Sequence, residues 1–251
     1  MDYASMYMAI FQNLTQVFIA LLPFFLIVII INVIKNNCKK KKKTNNNAVG
    51  NVYKLDTSSK LDYEQSDYFK ETNTSYEDMI TDKGKVGEYA AYRNIRNISG
   101  YKKFLFNVYI ENKNNADRKA EIDVIMIHET GIYVIESKNF RGWIFGDETS
   151  DKWCQSFKNG KKFYFYNPIK QNYKHIQYLR GIVGEDKEIV SIITFGDDAT
   201  LKKIVNTNQN LKVINNRILR ETIESKIRNS ETKMTQEQID EIYNSLKSKQ
   251  W

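Results

Sequence analysis

The sequence has few of the residues that stabilise small secreted domains or zinc-binding domains. It contains only two cysteines, Cys38 and Cys154, so it cannot carry the disulfide network on which such secreted domains depend. Its two histidines, His128 and His175, lie far apart and no Cys-x-x-Cys pair occurs, which argues against a structural zinc site. Any metal ion would therefore be bound by carboxylates, and carboxylate ligands favour a hard cation such as Mg²⁺.

Positive charge is concentrated near the N-terminus rather than spread along the chain. Residues 1–50 contain six lysines and Asp2, a net charge of +5 out of the total of +8, which leaves +3 for all later residues. Net charge is therefore weak support for nucleic-acid binding by the body of the protein. With 251 residues and 41% hydrophobic residues, the chain has enough material for one well-buried domain with appendages.

An apolar segment over residues 14–34 predicts one transmembrane helix. Every residue from Val17 to Ile31 is apolar, and at about 1.5 Å per residue the whole segment spans the roughly 30 Å of bilayer hydrocarbon. A cleaved signal peptide is one alternative, but no basic region precedes the segment and no small-residue cleavage site follows it. A buried helix of a soluble core is the other alternative, although such helices are rarely so uniformly apolar.

Lysines follow this segment directly. They comprise Lys35 and the run Lys39–Lys43, whereas no lysine precedes the segment. By the positive-inside rule, the later residues are predicted to lie in the cytoplasm, with the protein held in the cell membrane by a single span.

Changes in composition divide the chain into four predicted parts. Residues 1–35 form the anchor. Residues 36–80 form a lysine-rich juxtamembrane segment and a disordered linker, because polar residues dominate there without an apolar period. Residues 81–230 form the globular domain, and residues 231–251 form a C-terminal helix that starts with a capping box.

The periodicity of apolar residues predicts a mixture of helices and strands in the globular domain. The predicted helices are 82–98, 168–182 and 217–228. The predicted strands are 104–110, 121–128, 132–138, 142–146, 161–166, 189–195 and 211–214. This order predicts an α/β or α+β fold. The tryptophans Trp143 and Trp153 are expected in the core.

Ionisable residues interrupt two predicted strands that should otherwise be buried. Asp123 lies in the strand 121–128, whereas Glu136 and Lys138 lie two residues apart and so share one face of the strand 132–138. A Glu-Thr-Gly turn joins the strands, so a hairpin brings Glu136 near Asp123. Such charges are costly to bury unless they pair with each other or bind a metal ion. These residues alone leave both readings open, a structural ion pair with Lys138 or a two-carboxylate Mg²⁺ site.

From Gly87 to Leu179 the sequence resembles the nuclease-related domain (NERD) family. The residues that carry the resemblance are Gly87-Glu88, Ile122-Asp123, Gly131–Asn139, Gly142, Gly146, Trp153 and Asn167–His175, in the family's order. This family is grouped with the PD-(D/E)xK nuclease superfamily. The resemblance therefore implies a restriction-endonuclease-like fold, a mixed sheet flanked by helices, preceded here by the transmembrane helix.

The resemblance also implies which residues act and on what. The implied site consists of Glu88, Asp123, Glu136 and Lys138, with Gln171 as a supporting polar group. Asp123 and Glu136 would bind Mg²⁺ or Mn²⁺, and the implied reaction is hydrolysis of DNA or RNA by an endonuclease. A catalytically silent nucleic-acid-binding or protein-scaffolding module at the membrane is the alternative, because a fold does not fix a function.

Basic residues close to the implied site are candidates for contact with the phosphates of nucleic acid. Lys170, Lys174 and His175 lie on the predicted helix 168–182, and aromatic residues occur among the lysines just before it. Lysines interleaved with aromatics are typical of nucleic-acid-binding surfaces. The same lysines also suit an ordinary solvated surface, and His175 also suits a structural role.

Overall fold

The computed structural model describes residues 57–112, 115–208 and 210–248. The predicted transmembrane segment 14–34 and the lysine run that follows it lie outside these residues. Across the described ranges, no helix is both long and apolar enough to cross a membrane. The described residues form a mixed α/β domain, as the sequence predicts.

Seven helices and nine strands make up the described part of the chain. The helices are α1 (Thr57–Glu64), α2 (Asp67–Thr72), α3 (Tyr76–Thr81), α4 (Lys83–Ile95), α5 (Pro168–Val183), α6 (Leu219–Arg228) and α7 (Gln236–Lys247), and a 3₁₀ turn (Asn216–Ile218) precedes α6. The strands are β1 (Lys102–Asn112), β2 (Asn115–His128), β3 (Gly131–Lys138), β4 (Gly142–Asp147), β5 (Lys152–Ser156), β6 (Lys162–Tyr166), β7 (Ile189–Phe195), β8 (Ala199–Val205) and β9 (Leu211–Asn215).

The strands form two mixed sheets. The first sheet has the order β1-β2-β3-β7-β9, in which β1, β2 and β3 are antiparallel neighbours and β7 runs parallel to both β3 and β9. The second sheet has the order β6-β5-β4-β8, with only the β4–β8 pair parallel. Two mixed sheets flanked by helices are consistent with the predicted restriction-endonuclease-like class.

The predicted hairpin of β2 and β3 lies at the centre of the first sheet and is confirmed. The register pairs His128 with Gly131 and Ile127 with Ile132. Gly131 has a φ of 147° at the turn, a conformation that side chains disfavour. The strand β7, which pairs with β3 on its other side, is buried along its whole length, as expected for a central parallel strand.

Apolar side chains cover both faces of the first sheet. One core cluster joins β1, β2 and β3 to α5 and α7, and includes Leu105, Ile125, Leu179 and Ile239. A second cluster, on the same face of the sheet, joins β7 and β9 to the second sheet through residues such as Ile144 and Phe195. On the opposite face, the ring of Phe106 packs against rings of α2 and α4, those of Tyr68 and Tyr92. The strand β3 is therefore buried between packed layers as far as Glu136, whereas its last two residues, Ser137 and Lys138, are partly exposed.

Residues 57–81 differ from the sequence prediction, which assigns a disordered linker as far as residue 80. They form three short helices whose tyrosines Tyr63, Tyr68 and Tyr76 are buried. The ring of Tyr63 lies 4.9 Å, centroid to centroid, from the ring of Tyr89 on α4. Each helix has only six to eight residues, which is too few to show a helical period in the sequence.

The strands β5 and β8 are absent from the sequence prediction. The five residues of β5 contain only one large buried side chain, that of Trp153. A bulge shifts the register between β4 and β8 so that Ile144 pairs with Leu201 but Phe145 pairs with Lys203. Lys202 is therefore an extra residue that breaks the alternation by which a strand is recognised.

The burial of Tyr63 predicts that residues 57–81 are part of the folded domain. We expect Tyr63→Ala to lower the free energy of unfolding by about 3–5 kcal/mol, because truncating a buried aromatic residue leaves a cavity. The change is measured by urea denaturation. Leu61→Ala is the matched control on the same helix, since Leu61 is 57% exposed and its truncation should change stability by less than about 0.5 kcal/mol. Equal, small effects of both substitutions would contradict the structural role.

Candidate active site

Asp123 and Glu136 lie next to each other on the neighbouring strands β2 and β3, in the middle of the first sheet. The register pairs Val124 with Ile135, so Asp123 and Glu136 are the next residues along the two antiparallel strands. The Oδ2 atom of Asp123 accepts a hydrogen bond of 2.7 Å from the backbone N–H of Ser137, which fixes this carboxylate against β3. Glu136 is only 1% exposed. The two carboxylates that the sequence brings near each other are therefore neighbours in a largely buried space.

Lys138 is the cationic partner of this pair. Its Nζ atom donates hydrogen bonds to Oε1 of Glu136 and, at 3.2 Å, to Oε1 of Gln171 on α5. The first contact follows from strand geometry, since residues two apart share a face. The second contact comes from a different element, so helix α5 and strand β3 together set the position of the ammonium group.

Glu88 reaches the site because α4 packs very closely on the end of β3. A Cβ atom at Gly87 would lie 2.8 Å from Oγ of Ser137 and 2.9 Å from Cβ of Asn139, so glycine is required at this contact. The next residue, Glu88, accepts a hydrogen bond of 2.8 Å at Oε2 from the hydroxyl of Tyr68. A side chain from α2, in the segment predicted to be a linker, therefore helps to hold a site carboxylate.

Burial raises the pKa values of three carboxyl groups, those of Glu88, Asp123 and Glu136, above their ordinary values. For Glu136 the negative charge of Asp123 raises the pKa further, although Lys138 opposes both effects. Burial also raises the pKa of Asp123, against the lowering by Lys138 and by the Ser137 N–H. Burial, followed by the charge of Asp123, raises the pKa of Glu88 to about 7. The site therefore holds more negative charge than Lys138 alone can balance, which favours an additional cation.

His175 lies inside the protein, beside Glu136. It is 4% exposed, and its Nδ1 atom lies 3.4 Å from Oε2 of Glu136. Among the described residues neither atom has a hydrogen-bond partner. Burial and the charge of Lys138 lower the pKa of His175 to about 4, so its imidazole is neutral at pH 7. The other two candidate phosphate contacts, Lys170 and Lys174, are on the outer side of α5.

Two asparagines of the stretch Asn167–His175, neither of them predicted as a site residue, hold α5 in place. Asn167 caps the helix by accepting a hydrogen bond from the N–H of Ile169, while its Nδ2 atom donates to backbone carbonyls, including that of Ser150 at 2.6 Å. Asn172 is fully buried and donates to the carbonyl of Val134 and to Oγ of Ser191. A polar residue on the apolar side of a helix, here next to Gln171, is the sequence signal that identifies such a residue.

The donor set suits a divalent cation whose coordination is only partly supplied by protein. Among the residues that the structure describes, no group of three or more His, Cys, Asp or Glu side chains is arranged to hold a metal ion. Mg²⁺ is commonly bound by one or two carboxylates, with water and substrate phosphate completing its shell. Asp123 and Glu136 supply such oxygens, and Oε2 of Glu136 is buried with no hydrogen-bond partner in the described part of the chain. The residues therefore fit a hard ion of this kind.

Comparisons with known proteins agree with the resemblance in the sequence. Residues 83–196 match the family model described as the nuclease-related domain. An uncharacterized protein of Bacillus anthracis is 30% identical over 167 residues, a region that covers 65% of this chain and 75% of that protein. No solved structure is detectably similar. The matched residues include Glu88, Asp123, Glu136, Lys138 and Gln171.

The raised pKa values predict how stability without metal depends on pH. A carboxyl group with a raised folded pKa favours folding at low pH, and this contribution is lost as the pH rises through the folded pKa. In EDTA we therefore expect the melting temperature to fall between about pH 6.5 and about pH 8.5, by about 2–4 °C for each kcal/mol lost. The lowered pKa values of His128 and His175 act below this window.

The variant Glu136→Gln should flatten this decline and raise the melting temperature at the upper end of the window. The matched control is Glu241→Gln, since Glu241 is exposed on α7 far along the chain from the site. Parallel pH profiles for the unaltered protein and Glu136→Gln would contradict the assignment of excess negative charge to this site.

Proposed function

This chain belongs to the nuclease-related domain family, and on that premise we propose that it hydrolyses phosphodiester bonds of DNA or RNA as a metal-dependent endonuclease. The observation that carries the proposal is the convergence of Asp123, Glu136 and Lys138 at one buried point of the central sheet. Family membership supports a nuclease-like module and the use of a divalent metal. The cleavage itself, and the choice of Mg²⁺ or Mn²⁺ as the ion, belong to the proposal.

The proposed chemistry assigns a role to each side chain of the site. Asp123 and Glu136 hold the divalent ion, which when bound supplies a Lewis acid that polarises the phosphodiester. Lys138 stabilises the negative charge that develops on the phosphate oxygens as water attacks phosphorus and the bond to the leaving oxygen breaks. Gln171 orients the Lys138 ammonium through its 3.2 Å contact, and Glu88 adds a carboxylate that can accept a proton at neutral pH.

The buried position of His175 gives it a positioning role in this proposal. Its neutral ring faces the carboxylate of Glu136 and carries no charge with which to bind a phosphate. Direct contact with nucleic acid therefore belongs to surface residues such as Lys170 and Lys174. Lys170 already forms an ion pair with Asp151 at 2.6 Å, so its contribution to binding requires that this exposed pair open.

Lys138→Met tests catalysis separately from binding. Methionine keeps the apolar stem and removes the charge, so we expect cleavage to slow by at least about 10²-fold while affinity for nucleic acid changes by less than about tenfold. The measurements are cleavage of plasmid DNA and of RNA with Mg²⁺, and binding at one fixed salt concentration. Lys187→Met, at a lysine outside the site, is the control. Equal losses of affinity and rate would assign Lys138 to the docking surface.

A separate experiment tests whether the two carboxylates bind the metal ion. Asp123→Ala and Glu136→Ala should each abolish Mg²⁺ binding in calorimetry while the protein stays folded, whereas Asp151→Ala, at an exposed carboxylate, should not. Unchanged Mg²⁺ affinity in both site variants would make the carboxylates structural. Nucleic-acid binding without cleavage by the unaltered protein would leave a silent binding module on the same fold.

We further propose that residues 14–34 anchor the chain in the cell membrane with the domain in the cytoplasm. The support is the apolar length of the segment and the six lysines that follow it. Protease added to intact cells should leave the domain uncut, and the same protease should digest it after the membrane is opened. Digestion in intact cells would reverse the proposed topology.

A further inference from the structure

The outward face of the second sheet carries aromatic rings and lysines side by side. In the register of the sheet, Tyr164 pairs with Cys154, Cys154 with Phe145, and Phe145 with Lys203. Directly paired residues lie on the same face, so these side chains form one row across four strands. Tyr164 is 67% exposed and Phe145 is 36% exposed, which identifies this side as the solvent side.

Neighbouring rows repeat this composition. Tyr166 pairs with Lys152, whereas Trp143 and Lys162 both pair with Ser156. The Nζ atom of Lys202 lies 5.7 Å from the centroid of the Trp143 ring, so the bulge residue of β8 also reaches this side. We refer to the following residues as the aromatic–lysine face: Trp143, Phe145, Lys152, Lys162, Tyr164, Tyr166, Lys202 and Lys203. Trp143, expected in the core from sequence, belongs to this face.

The opposite face of the same sheet is the core face. Ile144 and Trp153 are buried there, and the ring of Trp153 stacks on that of Phe195 at 6.1 Å. Core packing therefore accounts for Trp153 and Phe165 on that side, but it does not account for Tyr164 and Tyr166 on the other. Exposed aromatic residues grouped on one surface are unusual in a monomeric domain and indicate a binding partner.

The charge of the aromatic–lysine face favours a polyanion. Among the described residues, none of its four lysines has a carboxylate within ion-pair distance. The four strands of this sheet contain a single acidic residue, Asp147, whose carboxylate accepts hydrogen bonds from Thr149 and Ser150. A second copy of the same positive face would be repelled, which argues against self-association through this surface.

Helix α5 connects this face to the candidate active site. Its residue Gln171 contacts Lys138, and its residue Lys174 lies with Nζ 5.1 Å from the centroid of the Tyr166 ring. Three residues of an α-helix rise only about 4.5 Å, so one short stretch of α5 borders both regions. In addition, β4 begins only four residues after Lys138 in the chain. Helix α5 and the short connection to β4 therefore link the aromatic–lysine face to the candidate site.

We propose that the aromatic–lysine face binds single-stranded nucleic acid and presents it to the site. Bases stack on the rings of Tyr164, Tyr166 and Phe145, while the lysines neutralise the phosphates. Single strands are favoured over duplexes because base pairing and stacking hide the base faces that rings contact. This inference names the substrate class of the proposed nuclease. The binding of single strands does not depend on the nuclease function, whereas their delivery to the active site does.

The test measures binding by the full chain in EDTA, where no cleavage occurs. The probes are a labelled single-stranded oligonucleotide and a hairpin duplex of the same length, each as DNA and as RNA. Tyr164→Ala should weaken single-strand binding by about 5- to 150-fold, and single strands should bind at least about tenfold more tightly than duplexes. Lys39–Lys43 is present in every variant, so its contribution to binding cancels from the comparison.

The matched control is Phe163→Ala, on the same strand but the opposite face. Phe163 is 56% exposed, close to the exposure of Tyr164, so the two variants lose similar exposed aromatic surface. Binding by Phe163→Ala should stay within about threefold of the unaltered protein, well below the loss of a stacked ring. Equal losses in both variants would overturn the assignment of binding to one face.

The salt dependence of oligonucleotide affinity distinguishes the contribution of the aromatic rings from that of the lysines. Lys203→Gln should reduce the slope of log K against log salt by about 0.7, the value for one phosphate contact on a single strand, whereas Tyr164→Ala should leave the slope unchanged. Equal affinity for single strands and duplexes would overturn the proposal. If Tyr164→Ala instead disrupted a dimer and left oligonucleotide binding unchanged, the face would be an interface between copies of the chain, and the proposal would also fail. Oligonucleotide binding without cleavage would count against the nuclease function alone.

Discussion

The buried carboxylate of Glu136 is the interaction on which the rest of this structure depends. It lies 1% exposed on the central strand of the first sheet, beside Asp123 on the neighbouring strand. Two carboxylates in such a place are costly unless cations or protons accompany them. Among the described residues, the ammonium group of Lys138 is the one that faces the pair, and the pKa values of both carboxyls remain raised in its presence. The sheet therefore encloses an unbalanced charge, and this imbalance is what suits the site to a divalent cation.

Much of the surrounding packing fixes the groups that enclose this charge. Gly87 allows α4 to approach the end of β3 within a distance that any side chain would block, and this brings Glu88 into the same electrostatic environment. Asn172 bonds α5 to the carbonyl of Val134, which holds Gln171 against Lys138. Each of these contacts stabilises the fold, and each one also determines the position of an ionisable group.

The sequence predicts the parts of this arrangement that depend on local pattern, and it misses those that depend on tertiary contacts. Alternation places Glu136 and Lys138 on one face of a strand, and the Gly131 turn forms the hairpin that brings Asp123 near them. The role of Tyr68 could not be predicted, because its partner Glu88 is 20 residues away and its helix is too short to have a period. Likewise, the position of Trp143 depends on which face of the four-stranded second sheet meets the core. The bulge at Lys202 breaks the alternation by which β8, the edge strand of that sheet, could have been recognised.

The two sheets differ in how many of their faces are covered. This difference suits the first sheet to hold buried charges and the second sheet to bind a ligand at an exposed surface. The first sheet is covered on both faces, so charges at its centre lie in a low dielectric, where burial shifts their pKa values. Among the described residues the second sheet is covered on one face, by the cluster around Trp153, and its other face leaves Tyr164 exposed beside lysines. A single strand presents base faces that stack on aromatic rings and phosphates that attract lysines, and an open surface can contact several of each along the strand. Because α5 contacts both regions, the face proposed to bind a single strand and the candidate active site are connected through one helix.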